Sequence, residues 1–269
     1  MIASVRHRLF LIVDLSRRCL GRFVELEGFD RAMALAGQAF AALLPLLIVI
    51  ASVSPTSGDD LSDTLSRRFR LSSGAENALN QAVAQPPDPG LGGLGVFLLV
   101  VSALSFTRAM QRLYVRAWRL GPLGLRGNLW GLEWLAIFVV FWSLQPLIVH
   151  LFSGAAAFAV GLGFSTALWL VTPYFLVAKR IAWRRLVPQA LLTALALDGL
   201  TIAGAVYLPR AFESASKQFG VLGVAFTLLS LLFSISLCLV GAAAVGATIA
   251  DEGDDVVALR PADRITREG

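Results

Sequence analysis

A row of arginines in the stretch SFTRAMQRLYVRAWRLG, residues 105–121, has the residue type and the spacing of a phosphate-binding surface. On a helix with 100° per residue, four of them fall within an arc of about 80°: Arg108, Arg112, Arg116 and Arg119. Guanidinium groups bind phosphate through paired hydrogen bonds, and residues 107–128 contain no acid that would neutralise them. This arginine stripe predicts a site for phosphate-bearing, anionic lipid. The alternative is a cationic anchor that only touches lipid headgroups.

A single acid, Asp198, lies in the middle of the otherwise apolar run LALDGLTIAG, residues 195–204. A charged side chain at the centre of a membrane span costs at least about 2.5 kcal/mol, so such residues face the interior of a bundle or a hydrated cavity. We therefore expect Asp198 to face away from lipid. Two interpretations remain open: a hydrogen-bonded acid that fixes helix packing, or a group that exchanges protons or contacts a substrate.

Signatures of enzymes and of metal centres are absent from the sequence. There is no glycine-rich phosphate loop, no HExxH motif and no plausible Ser/His/Asp set. The two histidines, His7 and His150, belong to segments predicted on opposite sides of a membrane. The two cysteines, Cys19 and Cys238, form neither a disulfide framework nor a zinc pattern. We therefore predict a protein that is not an enzyme, without catalytic residues, metal ligands or cofactors.

The elements that position these residues are apolar helices. The chain of 269 residues is 57% hydrophobic and 15% charged, with a mean hydropathy of +0.72, whereas soluble domains carry about 25% charge. A helix needs about 20 apolar residues to cross a bilayer. Six blocks are candidates: residues 32–54, 91–106, 129–152, 155–178, 186–208 and 221–250. The predicted fold class is all-α, a polytopic membrane helix bundle with six transmembrane helices.

The distribution of basic residues predicts the orientation of this bundle. Arg and Lys number six in residues 1–31, five in 107–127, four in 179–185 and three in 251–269. The alternate connections carry three in 55–90, none in 153–154 and two in 209–220. This bias of 18 against 5 predicts that both termini are cytoplasmic. It also explains the excess of base over acid without nucleic acid as a partner.

Three segments outside the spans have patterns of their own. Residues 1–31 predict a cytoplasmic amphipathic helix that lies in the membrane interface, with one apolar face formed by Leu9, Ile12, Cys19, Phe23 and Leu26. Residues 55–90 predict one or two amphipathic helices at the outer surface. Residues 251–269 are charged, without apolar periodicity, and predict a disordered cytoplasmic tail. The six-span bundle then occupies residues 32–250.

Small residues inside the spans predict where helices approach each other closely. Ala157 with Gly161 and Ala242 with Gly246 have the four-residue spacing that brings two backbones together. Their predicted role is packing and not chemistry.

Several spaced motifs resemble the YihY/BrkB family of membrane proteins. The run ALAGQAFAALLPLLIVIASVSP resembles that family's first-span signature, with Phe40 and Pro45 at the matching places. RAMQRLY resembles the segment after its second span. An acid nine residues before a tyrosine in the fifth span is frequent in the family, and Asp198 with Tyr207 has that spacing.

The C-terminal signature of the family is matched by YLPRAFESASKQFGVLGVAFTLLSLLFSISLCLVGA. Its turn corresponds to Phe219, Gly220 and Gly223, and its Gly-Ala pair to Gly241 and Ala242. Phe219 replaces the usual tyrosine, and Ala243 stands where a glutamate often follows. The missing acid weakens any mechanism in which that position exchanges protons. The resemblance covers roughly residues 30–250.

The resemblance implies a six-span inner-membrane protein linked to envelope integrity, in a family without an established activity. An old label for the family is ribonuclease BN. A hydrolytic nuclease needs clustered carboxylates or histidines for metal ions, and no loop of this sequence supplies them.

The predicted function is therefore that of a multi-pass protein of the bacterial cytoplasmic (inner) membrane. It acts in envelope maintenance and binds or translocates an anionic lipid or another amphipathic substrate. The alternatives are a non-transporting structural or scaffold protein, and a ribonuclease. Membrane lipids are the predicted partners, nucleic acid is not, and homo-oligomerisation is left open. The identity of the lipid, the direction of transport and the energy source cannot be derived from the sequence.

Overall fold

The structure, a computed structural model, describes residues 2–53, 89–124, 127–151 and 154–258. Within these ranges the protein is all-helical and contains no strand. The predicted outer helices in residues 55–88 and the tail beyond 258 lie outside the described residues. The helices are α1 (Ile2–Glu25), α2 (Gly28–Val53), α3 (Pro89–Ala117), α4 (Gly127–Leu151), α5 (Gly154–Leu176) and α6 (Trp183–Ala258).

Helix α6 consists of two arms that meet at a break. Gly220 has φ 58° and ψ −135°, a region that only glycine enters readily. A Cβ on Gly223 would collide with the backbone carbonyl of Ala215, so the chain also needs a glycine where the two arms approach. The break coincides with the glycine turn noted in the sequence.

Five helical segments among the described residues are long and apolar enough to cross a bilayer. They are Gly93–Ala117, Gly127–Leu144, Ala159–Leu176, Trp183–Gly220 and Leu222–Glu252. The first predicted span corresponds to α2, a single helix of 26 residues that contains Pro45. The count of six spans and the cytoplasmic location of the termini stay predictions.

The connection predicted between the fifth and sixth spans, residues 209–220, is helical. Its helix is supported by burial of Phe212 and by an ion pair of 2.7 Å between Lys217 Nζ and Glu213 Oε1, one turn apart. The first arm of α6 therefore has 38 residues, about 57 Å at 1.5 Å per residue. That length exceeds a hydrocarbon core of about 30 Å.

The core of the described bundle is concentrated toward one end. Helix α2 packs mainly on α3 and α6, α5 packs on α4 and α6, and α1 packs on α6. The largest fully buried apolar side chains belong to these contacts: Leu26, Leu35, Met110, Leu113, Tyr114, Leu176, Val177, Leu186, Phe212 and Val240. Most of them lie near the arginine-rich segments.

The basic clusters predicted on one side of the membrane meet at the same end of the bundle. Arg22 of α1 and Arg185 at the start of α6 both pair with Asp251 near the end of α6, with N–O distances of 3.2 and 3.6 Å. Lys179, after α5, lies 4.8 Å from the ring centre of Trp130 at the start of α4. We call this the basic end.

The end of the predicted apolar face of α1 packs against the bundle. Leu26, just beyond the helix, is 1% exposed and Phe23 packs against the core. The C-terminal end of this face therefore packs on the bundle, and its predicted contact with the membrane interface stays a prediction. Among the described side chains of α1, the exposed apolar ones include Val13, Leu20 and Val24.

Helix α6 extends past the predicted start of the tail at residue 251 and ends at Ala258. Asp251 accepts a hydrogen bond from Arg22, and Glu252 lies 3.6 Å from Arg18. These two acids therefore connect the end of α6 to α1. Predicted disorder remains untested for residues 259–269, which lie outside the described residues.

Close approach through small residues is confirmed at one of the two predicted places. A Cβ on Gly246 would collide with the side chain of Gln189, so the two arms of α6 pack there in direct contact. Gly161 has open space around it and contributes no such contact among the described atoms.

Candidate functional site

Helix α3 has the two faces that its sequence predicts. Met110, Leu113 and Tyr114 are each 1% exposed and belong to the core. Arg108, Arg112 and Arg116 are exposed on the other face. The core contacts on one face hold α3 in place, and this fixes the direction in which the arginines point.

Arg119 does not lie on the helical arc that was predicted for it. Helix α3 ends at Ala117, and Arg119 has φ 49°. Its amide donates to the carbonyl of Arg116, and the amide of Leu120 donates to that of Val115. This is a Schellman cap with arginine in the left-handed position that usually carries glycine. The cap turns Arg119 away from the line of the stripe.

Two residues of the stripe are paired with acids from the corner between α1 and α2. Nη2 of Arg119 donates to both carboxylate oxygens of Glu25, at 2.9 and 3.3 Å. Nη2 of Arg116 donates to Glu27 at 3.3 Å. These acids lie about 90 positions away along the chain, which is why the local absence of acids in the sequence was misleading.

The other two residues of the stripe have no acidic partner among the described residues. Arg108 donates to the amide oxygen of Asn128 at 3.2 Å. Arg112 has neither a hydrogen bond nor an ion pair within the described part of the chain, and its side chain is exposed. Arg31 of α2 lies near Arg112 and Arg116. Burial lowers the pKa of Arg31, and the positive charges of Arg116 and Arg112 lower it further. This corner of the basic end therefore carries uncompensated positive charge.

A cleft of about 440 Å³ lies between α1 and the end of α3. Its charged lining comes from Arg22, Glu25, Arg116 and Arg119, and its apolar lining from Leu26, Val115, Leu120 and Pro122. We call it the α1–α3 cleft. Its volume lies in the range of about 300–1,000 Å³ that small-molecule sites occupy.

Arg22 is a buried residue in the lining of this cleft. It is 8% exposed and donates from Nη2 to the carbonyl of Ala117 at 2.9 Å and to Asp251 at 3.2 Å. The carbonyl belongs to the last residue of α3, where a cation is favourable because the helix dipole is negative there. Arg22 thereby ties α1 to α3 and to the end of α6.

The carboxyl group of Glu25 is ionised at neutral pH. The hydrogen bond from Arg119 holds its pKa below the ordinary value, and the charges of Arg119, Arg22 and Arg116 act in the same direction, against a smaller effect of burial. The cleft therefore presents one permanent negative charge beside its guanidinium groups.

Asp198 lies at a contact between two helices, away from the arginine stripe. The hydroxyl of Ser165 in α5 donates to Oδ1 of Asp198 in α6, at 3.3 Å. The residue is half-buried. No described contact joins it to Arg108, Arg112 or Arg116. The structure thus separates the predicted site residues into two places: the basic end and the middle of the bundle.

Sequence reasoning missed the polar residues that complete the basic end. Helical periodicity places Glu25, Glu27 and Arg22 in an amphipathic helix and does not reveal their contacts with α3. The two acids just before the first predicted span could have indicated partners for the arginine stripe. Gln189 was also missed. It accepts a hydrogen bond of 2.8 Å from the indole of Trp118, and both side chains are buried.

Among the described residues, no group of three or more His, Cys, Asp or Glu side chains lies close enough to hold a metal ion. Three acids of the basic end, Glu25, Glu27 and Asp251, are paired with arginines.

A family model described as "Virulence factor BrkB" matches residues 19–266, nearly the whole chain. The match includes the arginine stripe, Asp198 and all five candidate spans. No curated protein and no solved structure matches the chain.

Proposed function

The chain belongs to the virulence factor BrkB family, and on that premise we propose that this membrane protein binds anionic phospholipid headgroups at its basic end. The proposed location is the bacterial cytoplasmic membrane, with both termini in the cytoplasm. Headgroup binding there serves envelope maintenance, either by holding lipid or as the first step of moving it between leaflets.

One observation carries this proposal. Arg108 and Arg112 are exposed, one helical turn apart, and have no acidic partner among the described residues. Arg116 and Arg119 are neutralised by Glu27 and Glu25. Two uncompensated guanidinium groups at the end of an apolar helix match a phosphate diester in charge and in hydrogen-bond geometry.

The test removes these two charges and leaves the ion pairs intact. The double variant R108Q/R112Q is compared with the wild-type protein for binding of phosphatidylglycerol in nanodiscs, at low and at high salt. A charge-assisted hydrogen bond contributes about 1.5–3 kcal/mol, so we expect affinity to fall by about tenfold or more. Because a bidentate contact is short-ranged, the loss should persist at high salt.

The tail variant R260Q/R264Q/R267Q is the control, with three charges removed instead of two. General surface attraction amounts to about 1 kcal/mol per basic residue and fades within a Debye length of about 8 Å at physiological salt. An equal loss in the tail variant, or a loss in R108Q/R112Q that disappears at high salt, would show that the stripe is only an anchor.

A structural or scaffold role is the second candidate, and the ion pairs favour it. Glu25–Arg119 and Glu27–Arg116 connect the α1–α2 corner to α3 across a long stretch of chain. Liposomes with labelled phosphatidylglycerol distinguish the two roles. Acceleration of exchange between leaflets supports transport, whereas tight binding without exchange supports a protein that holds lipid as part of a scaffold.

A further inference from the structure

We propose that the α1–α3 cleft is a second lipid site, one that takes the headgroup of an aminophospholipid. The phosphate binds to Arg116 and Arg119, and the ammonium group binds to Glu25. The inference rests on the proposed function in one respect, namely that the basic end meets lipid headgroups. It differs from that function in the residues used and in the chemical class of the ligand.

Charge is the first argument. Arg119 and Glu25 lie 2.9 Å apart and both line the cleft with Arg116. A purely anionic headgroup would satisfy the guanidinium groups but would face the carboxylate at short range, and like charges repel. A headgroup that carries a phosphate and a primary ammonium satisfies both signs at once.

The second argument is that the ion pair between Glu25 and Arg119 can be opened by a ligand. The side chains of Glu25 and Arg119 are 55% and 62% exposed, and exposed ion pairs contribute only about 0–1 kcal/mol to stability. A ligand therefore replaces this pair at little cost. Glu25 is ready to receive an ammonium group, since hydrogen bonding from Arg119 keeps its pKa low.

Shape is the third argument, and it favours a lipid over a free phosphate ester. The apolar lining of the cleft, which we call its apolar wall, consists of Leu26, Val115, Leu120 and Pro122. Arg22 also lines the cleft and is held in place by Ala117 and Asp251. The apolar wall matches the glycerol backbone and the first methylene groups of a lipid, which a soluble aminoalkyl phosphate lacks.

The experiment compares E25Q with E27Q, because both variants break an ion pair to the stripe but only Glu25 lines the cleft. Binding of phosphatidylethanolamine, phosphatidylcholine and phosphatidylglycerol is measured in nanodiscs. We expect E25Q to bind phosphatidylethanolamine about tenfold less tightly, the factor for one charge-assisted hydrogen bond. E25Q should bind phosphatidylglycerol no less tightly than the wild type. E27Q, which frees Arg116 but keeps Glu25, should bind neither phosphatidylglycerol nor phosphatidylethanolamine less tightly than the wild type. Wild-type preference for phosphatidylethanolamine over phosphatidylcholine, whose ammonium has no N–H, should disappear in E25Q.

A purely structural role for Glu25 predicts a different pattern. In that case E25Q and R119Q, which break the same ion pair from opposite sides, would change the binding of all three lipids alike. An unchanged ratio of phosphatidylethanolamine to phosphatidylglycerol affinity in E25Q therefore overturns the inference. Failure of the proposed function is a separate result: phosphatidylglycerol binding unaffected by R108Q/R112Q.

A competition experiment identifies the source of the aminophosphate. Glycerophosphoethanolamine is added in large excess to protein loaded with phosphatidylethanolamine. We expect little displacement, because the soluble ester makes no contact with the apolar wall. Efficient displacement would assign the cleft to a soluble ester and overturn the assignment to lipid.

Discussion

At the scale of the residue, the partner of an arginine decides its role more than its position on a helix does. Arg22 is buried and joins α1 to α3 and α6, whereas Arg112 is exposed and has no partner in the described part of the chain. Helical periodicity correctly separated the exposed and buried faces of α3. It could not find Glu25 and Glu27, because contacts between distant segments leave no local pattern.

The first prediction concerns Asp198. Asn keeps the shape and an oxygen that accepts the hydrogen bond from Ser165, but it cannot exchange a proton at neutral pH. If Asp198 only fixes the packing of α5 on α6, D198N should complement an envelope-stress phenotype like the wild type, and D198L should reduce the amount of folded protein. If the carboxyl group exchanges protons or meets a cation, D198N should fold normally and fail to complement.

S165A is the matched control for that experiment, because it removes the hydrogen bond that D198N keeps. If packing alone matters, S165A should lower the thermal midpoint and D198N should not. Full complementation by both D198N and D198L would show that Asp198 has neither role.

At the scale of the element, sequence patterns located the helices well but not where each one ends. The boundaries of α4 and α5 lie within a few residues of the apolar blocks. The helical state of the connection 209–220 was not predicted, because it is supported by polar residues that pair along the helix. The extension of α6 to Ala258 was not predicted either, because its acids pair with α1. Hydropathy measures transfer from water and carries no information about such pairing.

The second prediction tests the glycines at the break in α6. G220A forces a residue with a Cβ into φ 58°, which costs about 1–3 kcal/mol, and G223A collides with the carbonyl of Ala215. Both variants should lower the thermal midpoint of the purified protein. G161A is the control, because Gly161 is helical and has open space. Destabilisation by G161A equal to that by G223A would show that the close contact is unimportant.

The third prediction concerns the docking of α1 and uses Cys19 as a reporter. Burial raises the pKa of the Cys19 thiol more than its hydrogen bond with Thr248 lowers it, and the negative charge of Glu252 also raises it. Because the thiolate is the reactive form, Cys19 should be alkylated slowly at neutral pH and faster as pH rises toward its pKa. R22Q removes the tie to Ala117 and Asp251, so it should expose the thiol and accelerate alkylation severalfold.

The exposed residue Arg17 provides the control for this measurement. R17Q changes the charge of α1 by the same amount and should leave the alkylation rate unchanged. A C238S background ensures that only Cys19 is followed. Equal rates for R22Q and the wild type would mean that Arg22 does not hold α1 on the bundle.

At the scale of the whole molecule, the distribution of charge and the packing of helices agree. The segments rich in arginine and lysine, which the charge count places on one side of the membrane, meet at one end of the bundle. Arg22 and Arg185 both pair with Asp251 there. Most of the fully buried apolar side chains among the described residues lie at the same end. Charge counting groups these segments because insertion acts on each connection separately, and the orientation that it implies stays a prediction. The arrangement of acids that selects a headgroup depends on the folded contacts and was not predictable in that way.

The last prediction is the orientation of the bundle, and it determines which leaflet the basic end meets. The charge bias of 18 against 5 predicts that the basic end is cytoplasmic. Gly121 is exposed in the connection after α3, and G121C is made in a C19S/C238S background. S72C and Q218C belong to connections predicted on the other side. A membrane-impermeant maleimide added to intact cells should label S72C and Q218C, and G121C only after permeabilisation. Labelling of G121C in intact cells would place the arginine stripe and the α1–α3 cleft at the outer leaflet, where neither could take lipid from the cytoplasmic side.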